Sequence, residues 1–413
     1  MKKVVLAFFV IFCSIAAYQL INQYLFGWQY VFAPPNAFSG DSIVNPYRFI
    51  DAKQVQVANF HAHAKNGFLN GKGSPKDVQD RYDSIGLDIK LTSQYQYIDT
   101  QGKHLKSFIP VYEHGYNFGK THQLIIGAKQ VLKKDYMFAQ TLHNKQEILQ
   151  RLSQDTSNIV VLNHPGLSSG YKVDDLKYLH YYNHIELLSP YANSKSHWDT
   201  ALSAGKPIYI LGNDDSHDIF NNNELGRFVN LVYTSENDQK GVMHALKQGQ
   251  HAVAWLPQQT GETLLQKKNK IESIKNAFGG ITITDEKLTA SFTISADSIF
   301  VYGQHGKRLF CFTQTPKAVF GLPPQFNYLR VEAKFADGTM LLFNPVYKYN
   351  KNTSFDRELV AAAYVVRDEE TPLQNTVAVL SVIFVVGFFG SKKNRIPKMF
   401  SRNEKAKNNL QES

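Results

Sequence analysis

Cysteine is nearly absent from this 413-residue chain: Cys13 lies in an apolar N-terminal run and Cys311 stands alone, so no intrachain disulfide can staple the fold. That excludes a disulfide-held miniprotein. Acidic residues are in the minority, 35 Asp and Glu against 45 Lys and Arg, which excludes an acidic disordered chain. There is no internal repeat and no low-complexity tract before the basic C-terminal tail. No basic stretch interleaved with aromatics marks a nucleic-acid surface, so nucleic acid is not expected as a partner. With 43% apolar residues, the length leaves room for two or three domains with real cores. What the sequence does concentrate is histidine. Thirteen of its 14 histidines fall between His61 and His251, a density that points to a metal site and away from a tail or linker.

Two apolar segments bracket the chain. Residues 4–17, after Lys2 and Lys3, continue less apolarly to Trp28. They read as a signal anchor or transmembrane helix over residues 1–28, with Tyr24 and Trp28 as interfacial aromatics, or as a signal peptide cleaved near Ser14-Ile15-Ala16. The second segment, residues 376–391, runs into Lys392 and Lys393 and reads as a stop-transfer transmembrane helix, with 392–413 as a basic cytoplasmic tail. Of the net charge of +10, the tail and the N-terminal lysines hold about +7, leaving about +3 for the rest. The positive-inside rule then places both ends in the cytoplasm and the body on the periplasmic or extracellular side of a bacterial inner or cytoplasmic membrane.

Between residues 55 and 256 the chain alternates in type. Strand-like runs at 55–63, 86–92, 107–113, 159–164, 185–188 and 208–212 are interspersed with helical patterns at 77–84, 196–204 and 238–248. The alternation predicts an α/β domain with parallel strands, open or barrel-like, whose chemistry collects at the carboxyl ends of the strands. Residues 287–350 show five short alternating runs without helical pattern and predict a small antiparallel β-sandwich. Residues 258–275 and 350–375 read as connectors.

The chemistry-bearing motifs fall at strand ends. Asn59-Phe60-His61-Ala62-His63 puts two imidazoles at i and i+2, on the same side of a strand and within reach of one metal ion. Ile109-Pro110-Val111-Tyr112-Glu113 ends in a carboxylate able to bridge two cations, with His122 nine residues on. Val160-Val161-Leu162-Asn163-His164-Pro165 ends in His-Pro, and the apolar run 208–212 opens into Asn213-Asp214-Asp215-Ser216-His217. Any one histidine is more commonly a hydrogen-bonded core or surface residue. Four such endings in an alternating chain favour metal.

In this order the constellation resembles the PHP (polymerase and histidinol phosphatase) superfamily of metal-dependent hydrolases, over residues 55–255. The resemblance implies a distorted (β/α)7 barrel of PHP type holding divalent Zn, Mn or Fe and hydrolysing phosphate esters, with some members cleaving amide or carbamate bonds. Carried over, it implies a first metal on His61, His63, Glu113 and Asp215, a second on Glu113, His122 and His164, and His217 as a ligand of a remaining one. The family's Thr-Asp-His after the second strand is here Thr92-Ser93-Gln94, and the next expected histidine is lost near Leu69. The expectation is therefore two metals, with Asp215 and His217 as the catalytic pair and His217 free to bond substrate or carry a proton. His114 and His180 are candidate substrate contacts, and Lys90, Lys172 and Arg227 candidate anion contacts. The implied activity is that of a membrane-anchored, outward-facing phosphoesterase acting on a small-molecule or lipid-linked phosphorylated substrate. The alternatives are hydrolysis of an amide or carbamate bond, or a degenerate barrel serving as a binding module. The β-rich segment resembles the sandwich appended to some secreted or membrane-bound PHP proteins, through residues 327–332 and 344–347.

Overall fold

The computed structural model describes residues 2–66, 71–350 and 364–367, with parts of 373–383. In chain order its elements are α1 (Lys2–Tyr24), β1 (Tyr30–Phe32), β2 (Ser42–Val44), β3 (Val55–Asn59), α2 (Pro75–Ser84), β4 (Ile89–Lys90), β5 (Val111–His114), β6 (Gln123–Ile126), α3 (Leu142–Leu152), β7 (Ile159–Leu162), β8 (His184–Ser189), β9 (Ala192–Asn193), α4 (Lys195–Ser203), β10 (Tyr209–Gly212), β11 (Phe228–Tyr233), α5 (Gln239–Lys247), β12 (His251–Trp255), α6 (Leu264–Lys275), β13 (Phe278–Thr284), β14 (Lys287–Tyr302), β15 (Arg308–Gly321), β16 (Tyr328–Lys334), β17 (Met340–Phe343), β18 (Val346–Tyr349) and β19 (Tyr364–Val366). Residues 1–31 and 365–413 form one unit, which contains α1, and residues 32–364 form another.

Four of the five α-helices described in the larger unit, all but α4, start where side chains hold otherwise unpaired amides. Ser74 and Asp77 form a capping box on α2, Thr141 and Asn144 on α3, and Thr263 and Gln266 on α6, while Asp238 caps α5. Each such cap stabilises its helix by about 1 kcal/mol. Residues 258–275, expected as a connector, therefore contain α6, which buries Lys267, Ile271 and Ile274.

Apart from β1 and β19, which pair with each other, the strands form two sheets. In the first, ordered β10-β8-β7-β6-β5, the strands β10, β8 and β7 run parallel while β6 and β5 are antiparallel. The second runs β13-β14-β16-β17-β12-β11-β3-β4 and is antiparallel except for β3 beside β4. Side chains alternate between faces, so Leu124, Ile126, Ile159 and Val161 meet Ala58, Ile89 and Val232 of the second sheet, while Ile125, Val160 and Leu162 turn to the core that includes Trp198 of α4 and Ile148 of α3.

The expected (β/α)7 barrel is not formed, because the two sheets do not close on each other. At the facing edge of β10, backbone groups are satisfied by side chains in place of a strand. Gly212 N donates to Asn230 Oδ1 (3.0 Å), Asn230 Nδ2 donates to Gly212 O (2.8 Å), Ile210 N donates to Asn344 Oδ1 (2.9 Å), and His251 Nε2 donates to Ile210 O (2.8 Å). Nor do the C-terminal strands make a sandwich of their own. Strand β17 pairs with β12, from Ala252↔Phe343 to Trp255↔Met340, and so continues the second sheet. Two of the five short runs expected there, 288–295 and 298–302, are one strand, β14, with a register shift between Ser291 and Ala296.

The transmembrane anchor expected over residues 1–28 is corrected as well: no helix among the described residues is long and apolar enough to cross a membrane. Polar Gln19, Asn22 and Gln23 occupy the last turns of α1, where a span needs roughly 20 mostly apolar residues. The membrane location drawn from that segment loses its basis. The second expected span, 376–391, lies largely outside the described residues, and the tail 392–413 wholly so.

Candidate metal centre

The ends of β3, β5, β7 and β10 and the start of β6 bring six of the seven candidate ligands together, all buried. Past β3, His63 N donates to Ser216 O (2.8 Å) and Asp215 N to His61 O (2.9 Å), which locks the His-x-His segment against the residues that follow β10. Asp214 secures the other side. Its carboxylate accepts from the backbone N–H groups of Gly226, Arg227 and Phe228 and from the Tyr82 hydroxyl, so the chain turns sharply at Asp215, which takes φ 43°. His164, just before Pro165, takes φ 27°. Left-handed backbone at a non-glycine residue costs about 1–3 kcal/mol and persists where the surroundings enforce it.

Four atoms converge in the first group. His61 Nε2 lies 3.4 Å from Glu113 Oε2 and 3.1 Å from Asp215 Oδ1, His63 Nε2 lies 3.2 and 3.1 Å from the same two oxygens, and the two imidazole nitrogens are 3.3 Å apart. A tetrahedral shell with bonds of about 2.0–2.1 Å has edges of about 3.3–3.4 Å, so these spacings fit a single small divalent cation. The hydrogen-bonding pattern agrees with this. His61 Nδ1 is held by Glu186 Oε1 at 2.9 Å, which leaves Nε2 as a lone-pair donor, and the fully buried Glu113 Oε2 and Asp215 Oδ1 accept no hydrogen bond.

The second group shares Glu113 through its other oxygen. Oε1 lies 3.0 Å from His122 Nδ1 and 3.4 Å from His164 Nε2, and it accepts from Asn163 Nδ2 at 3.0 Å. His122 finds room because Gly115, at φ 126°, has no side chain. A Cβ there would stand 2.6 Å from His122 Cδ2.

The electrostatics follow from burying anions among imidazoles. Burial penalises the charged form of His61, yet Asp215, Glu113 and Glu186 together raise its pKa well above the ordinary value. Burial also works against the Glu113 carboxylate, but His61 and His122 hold its pKa well below normal. His122 moves the other way, lowered by burial despite Glu113.

His217 stands at the edge of the cluster. Its Nδ1 is 3.0 Å from Asp215 O and 3.8 Å from Asp215 Oδ1, its ring packs on His63 at 4.3 Å, and about a third of its side chain is exposed. It joins neither group of converging ligand atoms found among the described residues. The substituted Thr92-Ser93-Gln94 segment serves as struts: Thr92 Oγ1 donates to Asp99 Oδ2 (2.6 Å), Ala62 N donates to Ser93 Oγ (3.1 Å) and Gln94 Nε2 donates to Ala64 O (2.9 Å).

Other candidates lie elsewhere. Both ring nitrogens of His114 are engaged, by Gln123 Oε1 (2.7 Å) and Lys134 O (2.8 Å), and His180 is buried beside Lys206. Lys90 pairs with Asp83, the Lys172 amide bonds Asp175, and the Arg227 guanidinium sits 5.6 Å from the Phe228 ring.

Two residues at the site escaped sequence reasoning. Glu186 lies inside the fully buried β8 and bonds His61 Nδ1, His164 N and Asn213 Nδ2, a role signalled only by a carboxylate within an apolar run. Tyr95 stacks on His63 at 4.6 Å, placed there because its neighbours Gln94 and Gln96 pair with the Glu113 backbone, and nothing local in the sequence marks it.

No family model and no curated protein matches the chain. Two solved structures resemble it distantly. One, a two-domain protein from Bacteroides vulgatus containing a "predicted PHP-like metal-dependent phosphoesterase", is 14% identical with a TM-score of 0.39, over 75% of this chain and 98% of that one. The other, PsfC from Pseudomonas syringae, is 14% identical with a TM-score of 0.35, over 54% of this chain and 99% of that one.

Proposed function

We propose that this chain is a metal-dependent hydrolase of phosphate esters. The observation that carries the proposal is the pair of buried donor groups joined through the two oxygens of Glu113. Imidazole and carboxylate donors suit Zn, Mn or Fe. When bound, such ions supply Lewis acidity toward phosphoryl oxygens and make water acidic enough to serve as nucleophile near neutral pH. Only two of the ligands, Glu113 and Asp215, are carboxylates. Two divalent ions there keep a net positive charge, which favours an anionic phosphate over a neutral amide.

The chain's own residues then divide the work. His61, His63, Glu113 and Asp215 hold the first ion, and Glu113, His122 and His164 the second. Glu186 fixes the His61 ring and, through the His164 amide, the direction of that loop. Asp214 holds the turn that aims Asp215. His217 carries the proton: Asp215 O binds its Nδ1, which frees Nε2. Burial and the neighbouring His63 lower its pKa, so it is neutral and able to accept at pH 7.

A panel of chromogenic phosphate mono- and diesters, carboxylic esters and amides, run with added Zn or Mn, tests the proposal. Turnover of phosphate esters that is lost in the His61→Ala, His164→Ala double variant is the expected result. Turnover of amides or esters alone overturns the phosphate assignment.

A further inference from the structure

Five rings form a continuous row across the metal end of the fold. Tyr191 meets His217 edge-on at 6.3 Å, His217 packs on His63 at 4.3 Å, His63 on Tyr95 at 4.6 Å, and Tyr95 on Tyr116 at 6.3 Å. The row is buried at its centre, where His63 is a candidate metal ligand, and open at its ends, where Tyr191 is 47% and Tyr116 is 62% exposed. Its members come from five different strand ends. Tyr191 follows β8, His217 follows β10, His63 follows β3, Tyr95 follows β4 and Tyr116 follows β5, so no single loop's local preference places them side by side. The outer rings are also tied to the site. Tyr116 Oη donates to Tyr95 O at 3.4 Å, and the Tyr191 ring meets that of His217.

Large rings left half in water at the mouth of a polar cluster gain most when a flat surface covers them. We propose that this row recognises a planar aromatic group carried close to the phosphate of the substrate, with Tyr191 and Tyr116 as specificity-determining residues. The proposal rests on the phosphoesterase reading for the phosphate and on the ring row for the aromatic group. Such a ring comes from a nucleobase or from an aryl side chain, and both offer the same flat face.

Benzyl phosphate and cyclohexylmethyl phosphate have leaving groups of similar basicity and differ chiefly in whether the ring is flat. With the full chain loaded with Mn, benzyl phosphate is expected to show a lower KM by about three- to tenfold, a ratio set by the usual strength of ring stacking. That preference should shrink severalfold in Tyr191→Leu and again in Tyr191→Leu, Tyr116→Leu. Equal KM values in the parent protein, or an undiminished preference in the double variant, overturn the proposal while leaving the phosphoesterase reading intact. The matching phosphonates, which are not hydrolysed, keep the two apart in the other direction. Tighter binding of benzylphosphonate by calorimetry without turnover of any phosphate ester sustains the ring row and removes the phosphoesterase. Comparing a purine nucleoside monophosphate with phosphotyrosine identifies the source of the ring, and the lower KM marks the one the row fits.

Discussion

Glu186 offers no atom to either group of converging ligands, yet it touches His61, His164 and Asn213. Its carboxylate fixes which nitrogen of His61 faces the site, so Glu186→Gln is expected to weaken metal binding by about 10- to 100-fold. Chelator competition against Zn measures this, and an unchanged affinity removes Glu186 from the site. Gly115 acts by having no side chain. Because a Cβ would meet His122 Cδ2 at 2.6 Å, Gly115→Ala should displace that ring and lower the metal content from two ions per chain toward one. Elemental analysis of the purified variant gives the count.

Among elements, several joins between the layers are polar and buried. Arg330 on β16 reaches Asp199 of α4 through two contacts of 2.8 Å and also pairs with Glu332, with its guanidinium 5.0 Å from the Trp198 ring. Removing Asp199 alone leaves a buried guanidinium without its bidentate partner. Asp199→Ala should therefore cost about 3–5 kcal/mol in urea unfolding, while Asp199→Leu combined with Arg330→Met should cost less than that. Where β10 faces β12, His251 is fully buried, and desolvation lowers its pKa to about 4 although Ile210 O favours the protonated ring. The unfolded chain takes up a proton near pH 6.5 and the folded one only near 4, so this residue's contribution is complete above about 6.5 and is lost as pH falls toward 4. The loss is about 3 kcal/mol, and unfolding curves between pH 7 and 4.5 should show it, with a shallower slope in His251→Gln. These joins were not legible in the sequence. A buried Asn230 or Asn344 can close a ladder, cap a turn or face solvent, and only the partner strand decides which. The alternation of strands and helices was readable because it is local, whereas the pairing of β17 with β12 that replaced the expected sandwich links residues about 90 positions apart.

For the whole molecule, the histidine-rich stretch proved more informative than the charge total. The positions of His61, His63, Glu113, His164 and Asp215 could be read from apolar runs ending in ligand residues, and His122 from its place nine residues past Glu113; the fold gathers all six. The family resemblance implied His217 as a ligand of a remaining metal, but its Nδ1 turns to the Asp215 carbonyl and its ring to His63. The terminal apolar segments carried a membrane assignment that the helices of the described residues do not support. The central claim, that one carboxylate joins two metal-binding groups, is tested most directly by metal-to-protein stoichiometry in the full chain after loading with Zn and removal of the excess. Two ions per chain are expected, about one in His122→Ala, and none tightly held in Glu113→Ala. Only trace metal in the parent protein, or two ions retained by Glu113→Ala, would contradict that claim.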